Sequence, residues 1–242
     1  MYRRIGIHQI NYFPWIGYFN KMAKSDVFIY LDEVQLSDRG LSQRTPMINV
    51  NGKGVYLNVS VEKHGHREKK FNEVLLNKEI NWQIKQLDFL KGNYGKHPFY
   101  KEVMPLIEGV LTQDYSTLIE VNRSSVECLK TILGIETKTV MQSELQFNRN
   151  VFKNDLMLAL TKSCGGTVYL SGNGARKYMD VQEFEDSGVK VQYLTFNPFE
   201  YTQFRTSGFI PGLSTLDLLF NVGTKKAKDL FWENIQKNEI YE

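Results

Sequence analysis

Apolar residues along the chain alternate between short β-branched runs and longer stretches with helical spacing, an order that predicts an α/β protein. Ile5-Gly6-Ile7 leads into a His8-Gln9 pair, and a second run, Val27 to Leu31, ends on Asp32 and Glu33. Runs of this length and branching read as buried strands, and Phe19 to Ser25 between them predicts a short helix. Such a strand–helix–strand unit belongs to a parallel sheet. Met47 to Val50 and Val55 to Val59 flank Asn51-Gly52-Lys53-Gly54, a hairpin signal. Glu62 to Lys78 is polar and reads as an irregular excursion. Ile80 to Leu90, Tyr100 to Leu111 and Leu118 to Leu133 then carry apolar residues at helical spacing, which predicts a helical insertion at roughly 79–134. The α/β pattern resumes with a strand at Thr137 to Val140, a helix at Val151 to Ser163 and a strand at Thr167 to Leu170. After Ser171-Gly172-Asn173-Gly174 come a predicted helix, Arg176 to Ser187, and a strand, Val189 to Phe196. From Leu213 onward two short helices are expected around Gly223. No repeat or low-complexity linker divides the chain, so residues 1–242 read as one α/β domain. Its core is expected to be a Rossmann-like parallel sheet, with a β-hairpin and the helical insertion, the strand order being open.

Composition narrows the class. With 42% hydrophobic and 24% charged residues the chain is an ordinary folded protein, and a net charge of +3 is too small to argue for nucleic acid. The one dense basic segment, Lys63 to Lys70, reads as a solvated loop. No apolar run approaches the ~20 residues of a membrane helix, and the first residues lack the apolar core of a signal peptide, so a cytoplasmic protein without membrane insertion is expected. Two cysteines, Cys128 and Cys164, make no disulfide scaffold and read as core thiols. His64 and His66 have no companions at ligand spacing and His97 stands alone, so no metal site is expected.

Ligands of parallel sheets bind beyond the carboxyl ends of the strands, and four such ends here carry chemistry. His8 ends the first strand; it is placed to act as a general base or to hold an anion, or else to brace the Tyr12–Trp15 loop. Gln9, Asn11, Tyr12 and Trp15 follow as candidate substrate contacts. Asp32 ends the second strand and can orient His8, bind a sugar hydroxyl or cap a turn. Gln35 and Arg44 lie beyond it, Arg44 with a guanidinium suited to phosphate or carboxylate. Ser171, Gly172, Asn173 and Gly174, with Arg176 close behind, make a candidate anion cradle or a plain tight turn. Tyr201 and Gln203 follow the strand ending at Phe196 and suit sugar or base recognition. All are expected on one rim.

Several of these segments, in order along nearly the whole chain, resemble the WbqC-like protein family. They are HQINYFPWIGYF at 8–19, SDVFIYLDEVQ at 25–35, Arg44, YLSGNGARKY at 169–178, Tyr201 with Gln203, and FIPGLSTLDLLFNVG at 209–223. Two departures stand out: Ile10 and Ser60 replace prolines usual in the family. The resemblance implies a role in bacterial surface-polysaccharide (O-antigen, lipopolysaccharide) biosynthesis, as a glycine or acyl transferase. Its substrate would be a nucleotide-activated amino sugar modified on nitrogen, and its donor an acyl or aminoacyl thioester, with an acyl carrier protein as a possible partner. On that basis His8 would take the amine proton, Asp32 would orient His8 or bind the sugar, and Gly172–Gly174 with Arg176 would hold the diphosphate. A fainter resemblance is to nucleotidyltransferase-like enzymes, including adenylating amide ligases. Their HxGH motif falls where this chain reads Trp15-Ile16-Gly17-Tyr18, without either histidine, which favours the fold over ATP chemistry. The alternatives are therefore an ATP-dependent amide ligase or nucleotidyltransferase, and a non-catalytic sugar-binding protein.

Overall fold

The computed structural model describes residues 2–36, 40–62, 65, 68–238 and 240–241. His64 and His66 lie outside the described residues. In chain order the elements are β1 (Arg4–Gln9), α1 (Ile16–Ala23), β2 (Val27–Leu31), β3 (Arg44–Ile48), β4 (Gly54–Asn58), α2 (Trp82–Tyr94), α3 (Tyr100–Leu111) and α4 (Leu118–Leu133). There follow β5 (Lys138–Met141), α5 (Lys153–Ser163), β6 (Val168–Gly172), α6 (Val181–Asp186), β7 (Lys190–Leu194), α7 (Thr215–Lys237) and β8 (Ile240–Tyr241).

The main sheet runs β5-β2-β1-β6-β7-β8, parallel except for β8. Numbered by their order along the chain, its five parallel strands lie 3-2-1-4-5, the order of a doubly wound sheet. Alternate residues of the strands feed two cores. Ile5, Ile7, Val27, Ile29 and Tyr169 pack with α5 and α6 on one face. Phe28 and Tyr30 pack on the other with α1, the α2–α4 section and α7. β3 and β4 form the antiparallel hairpin. No helix among the described residues is long and apolar enough to cross a membrane.

Local chemistry explains the boundaries. Thr117 and Glu120 form a reciprocal capping box at the start of α4, and Gly134 ends it in the left-handed region, φ 66°. α7 breaks at Gly223, whose φ of 80° and ψ of 168° suit glycine alone; a β-carbon there would also meet the Phe99 ring at 2.6 Å. α1 starts at Ile16, earlier than the expected Phe19, because the chain leaves the aromatic loop at Trp15, the N-cap. The expected helix Arg176 to Ser187 is not formed as such. Residues Asn173–Lys177 make a 3₁₀ turn and α6 begins only at Val181, where the Asp180 carboxylate accepts from Glu183 N at 3.3 Å. With two glycines in one turn, helix has little to favour it there until that cap. β8 escapes sequence reading because two residues carry no periodicity.

The loop between β1 and α1 is held from several sides. Phe13, at φ 37°, has its carbonyl bonded by Thr45 Oγ1 and Ser214 Oγ, both at 2.8 Å. Its N–H donates to Ser125 Oγ, and Thr215 Oγ1 donates to the Pro14 carbonyl at 2.7 Å. Hydroxyls from the hairpin, α4 and the start of α7 thus hold a strained aromatic loop in place.

Candidate functional site

β1 and β6 pair only from Arg4–Gly6 with Val168–Leu170; beyond that register the two strands part. This is the point where strand order reverses, so a crevice opens there by topology. It is a cleft of about 590 Å³ lined by residues of β1, α1, β6, the 173–178 turn and the end of β7. Trp15, Tyr18, Tyr169, Tyr178 and Phe196 make aromatic walls, and His8, Gln9, Lys21, Ser171 and Asn173 supply the polar groups. Trp15 meets Phe196 edge-on at 5.2 Å, and its indole lies over Gly17 so closely that a β-carbon there would come within 2.3 Å. The Gly of WIGY is therefore the seat of the tryptophan.

His8 stands on the α1 side of the sheet with its ring edge-on to Tyr18 at 5.2 Å. Its Nδ1 lies 2.8 Å from the Gln9 carbonyl, which can only accept, so Nδ1 carries the proton and Nε2 keeps its lone pair. His8 is exposed, its ring opening onto the cleft. Partial desolvation and the charge of Lys21 hold its pKa below 6.5, against the bond to Gln9. The imidazole is therefore neutral at physiological pH. Lys21 is buried and its Nζ donates to the Ile7 carbonyl at 2.7 Å, 5.8 Å from the centre of the Tyr169 ring. Burial lowers the ammonium from 10.5 to about 8.

Of the residues expected on one rim, His8, Gln9, Trp15 and Ser171 to Gly174 line this cleft. The others stand elsewhere. Asp32 does not meet His8: its carboxylate accepts from Ser143 N at 2.9 Å, Ser143 Oγ at 2.6 Å and Asn72 Nδ2 at 3.4 Å, tying the end of β2 to the turn after β5. Asn11 and Tyr12 are buried, and Tyr12 OH donates to Gln86 Oε1 at 2.6 Å, so the loop turns them into the core. Gln35 offers its carbonyl to Gln9 Nε2 at 3.3 Å. The Arg44 guanidinium stacks on Tyr56 at 4.2 Å, on the hairpin. Arg176 lies over Tyr193 and Tyr241, at 5.3 and 5.6 Å, away from the turn it was expected to serve. Cys128 and Cys164 are half-buried, with burial raising both thiols.

Tyr201 and Gln203 belong to a second cluster. The buried Asp217 carboxylate accepts from Tyr94 OH and Tyr201 OH, each at 2.8 Å, and from Gln203 Nε2 at 3.3 Å. Gln203 also spans to Ile210 N and O, closing the 203–210 loop. Lys21 and Phe196 were missed from sequence. Lys21 could have been found: with Gly17 and Tyr18 it forms one stripe of α1, at i, i+3 and i+4 spacing, where a lysine is out of place on an apolar side.

A family model described as the WbqC-like protein family matches residues 9–229 of the chain. Among curated proteins, the uncharacterised protein Rv1507c of Mycobacterium tuberculosis is 27% identical over 224 residues, covering 92% of this chain and 95% of that one. No solved structure matches.

Proposed function

The chain belongs to the WbqC-like protein family, and from that premise and the β1–β6 cleft we propose an N-acyl or N-aminoacyl (glycine-type) transferase. It acts on a nucleotide-activated amino sugar in surface-polysaccharide (O-antigen) biosynthesis, with a thioester donor, free or on an acyl carrier protein. The observation that carries this reading is a neutral histidine lining a cleft at the sheet's switch point, its Nδ1–H donated to the Gln9 carbonyl and its Nε2 left to accept. The sugar amine attacks the acyl carbonyl, a C–N bond forms and the C–S bond breaks. His8 Nε2 takes the proton from the amine and returns it to the departing thiolate, as a general base and then acid. The aromatic walls, Trp15, Tyr178 and Phe196, suit a base or sugar ring. Asp32, occupied by Ser143 and Asn72, has no part in this step; the Gln9 carbonyl sets the tautomer in its place.

Turnover separates this from an adenylating ligase on the same fold. An acyl or glycyl thioester and a nucleotide amino sugar should yield amide without ATP, because Trp15 and Tyr18 replace, by the fainter resemblance, the phosphate-binding histidines of adenylating ligases. Strict ATP dependence with release of AMP would overturn the choice.

A further inference from the structure

We propose that Lys21 is the anchor for a phosphate group of the ligand that occupies the β1–β6 cleft. Resting on the reading of this cleft as the substrate site, the anchor adds what the site grips. Where β1 and β6 part, the Ile7 carbonyl accepts from Lys21 Nζ. A carbonyl needs only a neutral donor, and an amide or hydroxyl would serve with no charge to bury. Lys21 instead brings an ammonium, nine-tenths buried, to the wall of an open cleft, and none of the ion pairs among the described residues includes it. The other titratable groups lining the cleft are His8 on β1, Tyr18 on α1, Tyr169 on β6 and Tyr178 beyond it; no carboxylate side chain is among the residues that line it. A buried cation without a counter-charge is costly, and an anion supplied by the ligand offsets that cost.

The rest of the cleft favours a phosphate ester over a bare carboxylate. At about 590 Å³, with aromatic walls and the small residues of Ser171 to Gly174, it has room for the organic group attached to the phosphate. That group is a nucleoside if the phosphate belongs to the diphosphate of the nucleotide sugar, or a pantetheine arm if it belongs to the acyl donor's carrier. Burial holds the Lys21 ammonium down to about 8; a phosphate beside it favours the charged form. Binding at pH 8 therefore takes up a proton, and at pH 6, where Lys21 is already charged, it takes none from this group. The bound anion also offsets the Lys21 charge that weakens His8, so occupancy strengthens the base.

The test is calorimetric titration of the whole protein with inorganic pyrophosphate, UDP and 4′-phosphopantetheine at pH 6 and 8, in buffers of differing ionisation enthalpy. Wild type should bind pyrophosphate and at least one of the esters, with proton uptake at pH 8. The tighter of UDP and phosphopantetheine names the source of the phosphate. Lys21→Met and Lys21→Gln should each weaken binding about tenfold or more and abolish the uptake. The Gln variant, which keeps a donor for the Ile7 carbonyl, should melt at an unchanged or higher temperature, since a buried charge has been removed. If Lys21 serves only the Ile7 carbonyl, the Gln variant will bind as wild type does, which overturns the anchor. A wild type that binds none of the three probes overturns it too. Lys21-dependent binding in a protein that fails to transfer acyl groups would leave the anchor standing and remove the transferase.

Discussion

The β1–β6 cleft and the Asp217 cluster both bury a side chain that can carry charge, and they treat it in opposite ways. Asp217 is surrounded by donors: two phenols and an amide converge on one carboxylate, so its bonding is completed within the protein. Lys21 has one backbone carbonyl and no carboxylate, and its wall faces open space. Buried charges in folded proteins are as a rule paired, so an ammonium without a counter-charge marks where something else belongs. Both regions take residues from the family-like segments. HQINYFPWIGYF and YLSGNGARKY supply the cleft, whereas FIPGLSTLDLLFNVG, Tyr201 and Gln203 build the clamp that supports it. Resemblance along a motif therefore mixes two kinds of residue, and completeness of bonding separates them.

The largest effect expected on this division is at His8. His8→Gln keeps much of the size and a donor for Gln9 O but has no ring nitrogen to accept the amine proton. It should lower kcat by roughly 10²- to 10⁴-fold, with sugar affinity and melting temperature little changed. The pH–rate profile gives a second reading. A base must be neutral, and His8 is held below 6.5, so its part of the profile should be level from pH 7 upward and fall only in acid. Full kcat in the Gln variant with lost affinity would make His8 a ligand contact. A large fall in melting temperature would place it with the clamp.

Asp217 should behave in the reverse manner. Asp217→Ala leaves Tyr94 OH and Tyr201 OH without their acceptor in a buried site, a loss of about 2–5 kcal/mol. Urea or thermal unfolding measures it, and anion binding in the cleft should be affected much less. Burial raises the Asp217 carboxyl above its usual 3.8, against the hydrogen bonds from Tyr201, Tyr94 and Gln203. Folded protein then holds this proton to higher pH than the unfolded chain, so the contribution favours folding as the pH falls and is complete below 3.8. Asp217→Asn cannot ionise and lacks that slope. Wild type should gain stability on the Asn variant as the pH is lowered from 7 toward 4; a gain in the opposite direction would mean that the hydrogen bonds outweigh the burial.

The fold was largely legible because hydrophobic period and turn residues report backbone structure directly. α3 and α4 fall where their spacing put them, and the Asn-Gly-Lys-Gly hairpin forms. The strand order is not a local property, yet it decides which strand ends share a crevice. That is why His8 and the Ser171 turn meet while Asp32, one strand over, bonds to the turn after β5. Tyr201 and Gln203 were recognisable as unusual but not as a clamp, since their acceptor, Asp217, lies on a different element and reads as an ordinary helix-start acid. Lys21 left a trace, its place on the Gly17–Tyr18 stripe of α1, but most lysines on helices are solvated, and the crevice is what shows that this one is buried.

The smallest structural effect, and the finest probe of the cleft, is expected at Gly174. A β-carbon built there meets no heavy atom within 4 Å, and the backbone is not in the left-handed region, so nothing in the fold requires glycine. Gly174→Val should therefore leave stability within about 0.5 kcal/mol of wild type. Gly174 nonetheless lines the cleft, so valine adds two methyl groups to a residue of its wall. If this turn lies against the ligand, binding of UDP should weaken several-fold while binding of the smaller pyrophosphate at Lys21 is retained. Equal loss of both would mean that the turn itself holds the phosphate. Unchanged affinity for UDP in a folded variant would show that the ligand leaves this wall untouched, which confines the site to the β1–α1 side.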